Sequence, residues 1–140
     1  MAIEEVLNQC IQKWRSANIA LAPQVPKTEV FRVWECNGHR LSDDVLALYS
    51  TVGGFADWHY EEDFFWCLWP WNGLQEENQK EPGAGMLFCD HSIRAVTWQL
   101  RFEDQKHSSV WTADVVAPRQ VAADLESFFR AYLDNPWKLL

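Results

Sequence analysis

Cysteine and histidine pairs at short spacing are the residues of this chain whose types could do chemistry. Cys36-x-x-His39 and Cys89-x-His91 each offer a thiolate and an imidazole, the ligands zinc prefers, and His59 and Cys67 lie between them in sequence. The pairs neither repeat nor keep a fixed partner spacing, and Cys67 and Cys89 fall in apolar, strand-like runs, so no metal site and no cofactor is expected. Cys89 and His91, on alternate positions of one strand, could share a face as nucleophile and base. No glycine-flanked elbow presents the thiol, however, and a buried thiol beside a surface histidine is the plainer reading. Glu61-Glu62-Asp63 places carboxylates side by side, as on a solvated turn, not across a cleft as glycoside hydrolysis requires. Gly83-Ala84-Gly85 lacks the lysine and the helix of a phosphate loop. The expectation is a protein that is not an enzyme.

Recognition chemistry remains. Trp58, Tyr60, Glu61, Glu62 and Asp63, followed by Trp69, Trp71, Glu76 and Glu77, concentrate rings and acids in the middle of the chain. Aromatic anchors supply desolvated area and carboxylates steer encounter, which is what gripping a basic protein needs. Trp66 and Trp98 are expected in the core. Trp58, Trp69 and Trp71 sit at strand ends beside turns, where the pattern leaves core and surface both open.

Three helices and a sheet must position this segment. Ile3, Val6, Leu7, Cys10, Ile11 and Trp14 follow the spacing of one buried helical stripe that ends near Asn18. Ile19 to Lys27, with Pro23 and Pro26, reads as an extended connector. Thr28 to Glu35 alternates β-branched and aromatic residues as a strand does, with a short helix as the alternative, and Cys36-Asn37-Gly38 reads as a turn. Ser42 is placed to cap a second helix carrying Val45, Leu48, Tyr49 and Val52, with Leu41 stapling onto Leu46 and Gly53-Gly54 ending it through the left-handed conformation. Strands are expected at Ala56–Tyr60, Phe64–Trp69 (a central one), Met86–Cys89, Ile93–Phe102 and Val110–Val115, with Asn72 to Gly85 as a polar loop. A last helix enters at Pro118, carries Val121, Leu125, Phe128, Phe129, Tyr132 and Leu133, and stops at Asn135-Pro136. This order predicts one α+β domain over residues 1–140: a mainly antiparallel sheet of five or six strands with helices on one face.

Composition sets further bounds. With 140 residues, 48% of them hydrophobic, and nine Trp, eight Phe and three Tyr, the chain can fill one complete core. Four cysteines in apolar segments predict buried free thiols. A net charge of -8 disfavours nucleic acid and anionic membranes, which need clustered Lys and Arg, and favours a basic partner. No run approaches the ~20 apolar residues of a membrane span, and the acidic start Met1-Ala2-Ile3-Glu4-Glu5 is unlike a secretory signal. A cytoplasmic protein is expected.

Leu41-Ser42-Asp43-Asp44-Val45-Leu46-Ala47-Leu48-Tyr49 leading to Gly53-Gly54-Phe55 resembles the opening segment of the SUKH superfamily, the group of fungal cell-wall synthesis regulators and many small bacterial proteins. Phe65–Asn72, Ser109-Val110-Trp111-Thr112-Ala113-Asp114 and the helix Val121–Leu133 are similar to its later elements, so the resemblance covers about Thr28 to Asn135. Ser42 and Gly53 depart from it, standing where proline and asparagine are usual, and residues 1–27 fall outside it. The resemblance implies an immunity protein that binds and neutralises a cognate toxin, often a nuclease or deaminase, without catalysis of its own. A regulatory or scaffold domain is the alternative. A small-molecule or zinc enzyme using Cys36, His39, Cys89 and His91 is a more distant one.

Overall fold

The first helix, α1 (Ala2–Ser16), buries Ile3, Val6, Leu7, Cys10, Ile11 and Trp14, the stripe its spacing predicts. Asn18, at φ 60°, turns the chain out of it. Asn18 N–H donates to Arg15 C=O and Ile19 N–H reaches back to Trp14 C=O at 2.9 Å, so the last carbonyls are satisfied by a left-handed cap. The computed structural model describes residues 2–140.

Thr28–Glu35 is not a strand. It belongs to helix α2 (Lys27–Cys36), whose buried residues Val30, Val33 and Trp34 keep i, i+3, i+4 spacing while Phe31 and Arg32 face water. Over so few residues the same side chains also alternate, and the β-branched content tips the local reading toward a strand. Gly38, at φ 76°, closes the helix as Asn18 closes α1, with His39 N–H donating to Trp34 C=O.

Helix α3 (Asp43–Thr51) begins after Ser42, but the Ser42 hydroxyl does not cap it. That hydroxyl donates to Asp44 Oδ1 at 2.6 Å and lies 2.6 Å from Ser108 Oγ. The buried Asp44 carboxylate also accepts from Ser108 N–H (3.1 Å) and Leu125 N–H (3.3 Å), tying α3 to a strand and to the last helix. Nor does a left-handed glycine end α3. Val52 leaves it in an extended conformation, and Gly53-Gly54 serve close backbone approach instead. A Cβ on Gly53 would stand 2.4 Å from Pro23 O, and one on Gly54, at φ +84°, 2.1 Å from Trp69 O.

The sheet is antiparallel, five-stranded and in simple order: β1 (Trp66–Leu68), β2 (Met86–His91), β3 (Val96–Phe102), β4 (Ser108–Thr112) and β5 (Gln120–Ala122). The class is α+β, as expected. Ala56–Tyr60 is not one of the strands, and Gln120–Ala122, expected to lie in the last helix, takes the fifth place. The expected central strand is in fact the edge strand β1. It is apolar on both faces because its outer edge is covered: Phe55 N–H donates to Leu68 C=O and Glu61 N–H to Trp66 C=O. Beyond the end of β1, Asn78 continues this cover, its side-chain amide exchanging hydrogen bonds of 2.8 and 2.9 Å with the backbone of Leu87.

Asn78 lies on α4 (Trp71–Lys80), which replaces the expected polar loop from Asn72. Its sequence, WNGLQEENQK, buries only Leu74 and Asn78, too little apolar content to show a helical period. The last helix, α5 (Leu125–Asp134), starts with the Asp124 side chain accepting from Ser127 N–H. It lays Phe128 on Phe88 and Trp98, and Phe129 and Tyr132 on Trp66. Trp14 completes this core, stacked on Trp66 and edge-on to Phe55. A short 3-10 turn, Pro136–Leu139, follows. All four cysteines are free; Cys10, Cys67 and Cys89 are buried, but Cys36, expected inside, is exposed.

Gly54→Ala should cost at least about 2 kcal/mol of stability in denaturant titration, because left-handed strain and the clash with Trp69 O add. Gly83→Ala, in open space, should change stability by less than about 0.5 kcal/mol.

Candidate functional site

The turn between β2 and β3 carries three consecutive non-glycine residues in the left-handed region: Ser92 (φ 54°), Ile93 (φ 52°) and Arg94 (φ 67°). Phe65, in the segment that pairs with this turn, is a fourth (φ 52°). For a β-branched residue such as Ile93 this conformation costs roughly 1–2 kcal/mol. Its side chain nevertheless stands 75% exposed, so burial does not offset the cost.

Eight large hydrophobic residues are exposed among the described residues, and four of them, Trp58, Phe65, Ile93 and Trp137, gather about this turn. Phe65 C=O accepts from Ser92 N–H at 2.7 Å. Trp137 packs edge-on against Phe64 and His91, whose ring nitrogen Nδ1 lies 2.6 Å from Phe64 O. The Arg94 guanidinium lies 5.7 Å from the Trp58 ring and 4.8 Å from that of Trp69. Trp58 is seated by Gly73 of α4, where any Cβ would stand 2.6 Å from its ring.

Beneath the rings lies a charged layer. Arg94 pairs with Glu77 of α4 and stands 4.0 Å from Asp90, which is fully buried. Asp90 Oδ2 accepts from Tyr60 O–H at 2.8 Å. Burial raises the Asp90 pKa, and the Tyr60 and Arg94 contacts oppose the rise only in part. Glu77 behaves oppositely, since the Arg94 guanidinium holds its carboxyl below the usual range.

The sequence-predicted residues therefore divide. Trp58, Tyr60, Trp69 and Glu77 converge on Arg94 and Asp90, but Trp69 is fully buried and supports the surface without forming part of it. Glu61, expected to steer a partner, is 3% exposed; it accepts from Tyr132 O–H at 2.6 Å and lies 3.7 Å from Lys13. Glu62 and Asp63 are exposed, and Glu76 is exposed on α4 near Lys80. Trp71 is half-buried and packs on Trp34 and Tyr49, apart from the other site residues. Sequence reasoning missed Phe65, Ile93, Arg94 and Trp137. Phe65 and Ile93 look like strand interior until their backbone conformation is known. Among the described residues no group of three or more His, Cys, Asp or Glu gathers to hold a metal ion, and no helix is long and apolar enough to cross a membrane. No family model and no curated protein matches the chain.

Two outcomes follow from this geometry. Ile93→Gly releases left-handed strain and gives up little buried area, while glycine adds unfolded-state entropy. Thermal unfolding should show no loss of stability and a gain of up to about 1 kcal/mol, whereas an ordinary packed isoleucine would lose more than that. The second outcome concerns pH. Because the folded pKa of Asp90 is raised, the folded state binds more protons than the unfolded chain as pH rises from 3.8 through the raised value, and stability falls across that window. Asp44 and Glu61, raised chiefly by burial, act in the same direction. Asp90→Asn removes one such contribution, so its melting temperature relative to the parent, measured by circular dichroism, should climb as pH rises from about 3.8 and level off above the raised value; a difference flat from the start would mean the carboxylate is not penalised.

Proposed function

We propose that this chain is a binding domain of the immunity-protein kind, which grips and neutralises a basic toxin through the face around the β2–β3 turn. One observation carries the reading: Trp58, Phe65 and Trp137 are exposed about three consecutive strained residues, one of them the exposed Ile93, that burial does not repay. Soluble surfaces scatter large apolar residues singly, and a cluster marks a contact site. Backbone strain that local packing does not explain persists at functional sites. Ile93, exposed on the turn, is the shape of a knob for a partner's pocket, with the Arg94–Glu77–Asp90 layer holding its base.

Charge supports the same partner. The net charge of -8 favours approach of a basic surface, and Glu62, Asp63 and Glu76 are the acids left open to act at the rim. The resemblance to the SUKH superfamily supports neutralisation as the purpose of binding. Cytoplasmic action, inside the cell that makes the toxin, belongs to this proposal.

The product of the gene adjacent to the one encoding this chain is the partner to test. Calorimetry should give a tight complex, and the partner's activity should fall in step with its occupancy. Ile93→Asp should weaken the complex about 100-fold or more, as expected for a central anchor. Reversing Glu62 and Asp63 to Lys should slow association and flatten its salt dependence. Unchanged affinity in both variants would refute the face; a partner that stays active when bound would place the chain with regulatory or scaffold domains.

A further inference from the structure

Leu87, Gln99 and Trp111 are register partners across β2, β3 and β4, so they share one face of the sheet, and Arg101 follows on it two residues after Gln99. Trp98, on the opposite face, is the one that packs on Phe128 of α5. A cleft of about 420 Å³ opens on the face turned away from α5, with Leu87, Gln99 and Arg101 as its floor and the segments 81–85 and 113–118 as its walls. Gly85 seats the first wall against β3: a Cβ there would stand 2.4 Å from Leu100 O and 3.0 Å from Arg101 Cγ.

Gln99 is 6% exposed, yet its side-chain amide has no hydrogen-bond partner among the described residues. Neither amide atom is sealed off, so the small surface the residue keeps includes both of them, at the floor of the cleft it lines. A buried carboxamide that leaves its donors and its acceptor unused within the protein is costly, and one retained at the floor of a cleft marks a group that binds a ligand. Arg101 stands beside it with no ion pair among the described residues. Its guanidinium lies 4.2 Å from the Trp111 ring, which is fixed by Nε1–H donating to Ser109 Oγ at 2.9 Å. Only Nε of that guanidinium is sealed; the terminal nitrogens are open. Charge does not select the ligand, because Asp114 is turned to Val116 and Ala117 N–H and leaves Glu81 against Arg101.

We propose that this cleft holds an extended, uncharged peptide segment of a partner protein, with the Gln99 amide bracketing the N–H and C=O of one residue and Arg101 donating to the next carbonyl on that side. The spacing fits: residues two apart on a strand are about 6.6 Å apart, and so are successive same-side carbonyls of an extended segment. The same chemistry already operates inside the protein. Asn78 brackets Leu87, its Nδ2 donating to Leu87 C=O at 2.9 Å and its Oδ1 accepting from Leu87 N–H at 2.8 Å. Pro82, Val115 and Pro118 in the walls and Leu87 in the floor offer apolar contact to small aliphatic side chains of the segment. A nucleobase presents a comparable donor–acceptor edge, but the net charge of -8 disfavours nucleic acid. The cleft is distinct from the β2–β3 turn, and the inference holds whether or not that turn is a docking face.

The test uses the protein alone. Nα-acetyl-valyl-alanyl-valine methylamide is titrated into labelled protein, with the same peptide N-methylated throughout and adenosine as parallel arms, and backbone and side-chain amide signals are followed. The peptide should give saturable shifts in residues 81–87, 99–101 and 113–118 and in the Gln99 side-chain amide itself, and the N-methylated peptide, which has no N–H to give Gln99 Oε1, should bind about tenfold more weakly or worse. Gln99→Leu should weaken the peptide about tenfold or more with its melting temperature unchanged or raised, because an apolar group replaces a buried amide that has no partner. If that variant does not fold, Arg101→Met, which keeps the stem on Trp111 and removes the donors, serves in its place and should weaken binding about threefold or more. No saturable shift, equal binding of the N-methylated peptide, adenosine giving the same shifts at lower concentration, affinity unchanged in the variants, or a lowered melting temperature in Gln99→Leu would each overturn the proposal.

Discussion

Three stretches of backbone meet at Gly53 and Gly54, with room between them for nothing larger than hydrogen. Gly53 N–H and C=O bond Ala22 C=O and Trp71 N–H, Gly54 C=O accepts from Ala22 N–H, and Phe55 N–H donates to Leu68 C=O. One crossing thus joins the proline-bearing connector, the end of β1 and the start of α4. Everything that positions the site depends on it: the segment from Phe55 onward is laid along the β1 edge, Glu61 is turned inward onto Tyr132, and Trp58 is delivered to Gly73. A side chain at either glycine would separate these layers.

The aromatic load has two physical uses, and the tertiary structure separates them. Trp14, Trp66, Phe55 and Tyr132 form a ring cluster between α1, α5 and the sheet, in which Trp14 Nε1–H finds a partner in Tyr132. Trp58, Phe65 and Trp137 are left outside around the strained turn. The buried acids are held in two ways. Asp44 is satisfied by a hydroxyl and two backbone donors and is structural. Asp90 and Glu61 are each held by a tyrosine hydroxyl, from Tyr60 and Tyr132.

Much of this architecture was legible beforehand. The α1 stripe, the face of α3, the Phe128–Phe129–Tyr132 stripe of α5 and four of the five strands follow from periodicity, because burial of one face imposes a period that survives in the sequence. The misreadings share a cause. In α2 and α4 the apolar residues are too few or too β-branched to display a helical period, and what stabilises these helices is contact with neighbours. β5 is a three-residue edge strand that local pattern assigned to the helix beside it.

The candidate site divides along the same line. Residue type and order were sufficient to locate an acidic, aromatic segment and to assign Trp66 and Trp98 to the core, since each of these rests on composition or local spacing. Which acids face water, that Trp69 supports the surface from below, and that Phe65, Ile93 and Trp137 are exposed were decided only by the tertiary structure. Exposure and left-handed backbone arise from how distant segments cover one another, and no local pattern of side chains encodes that.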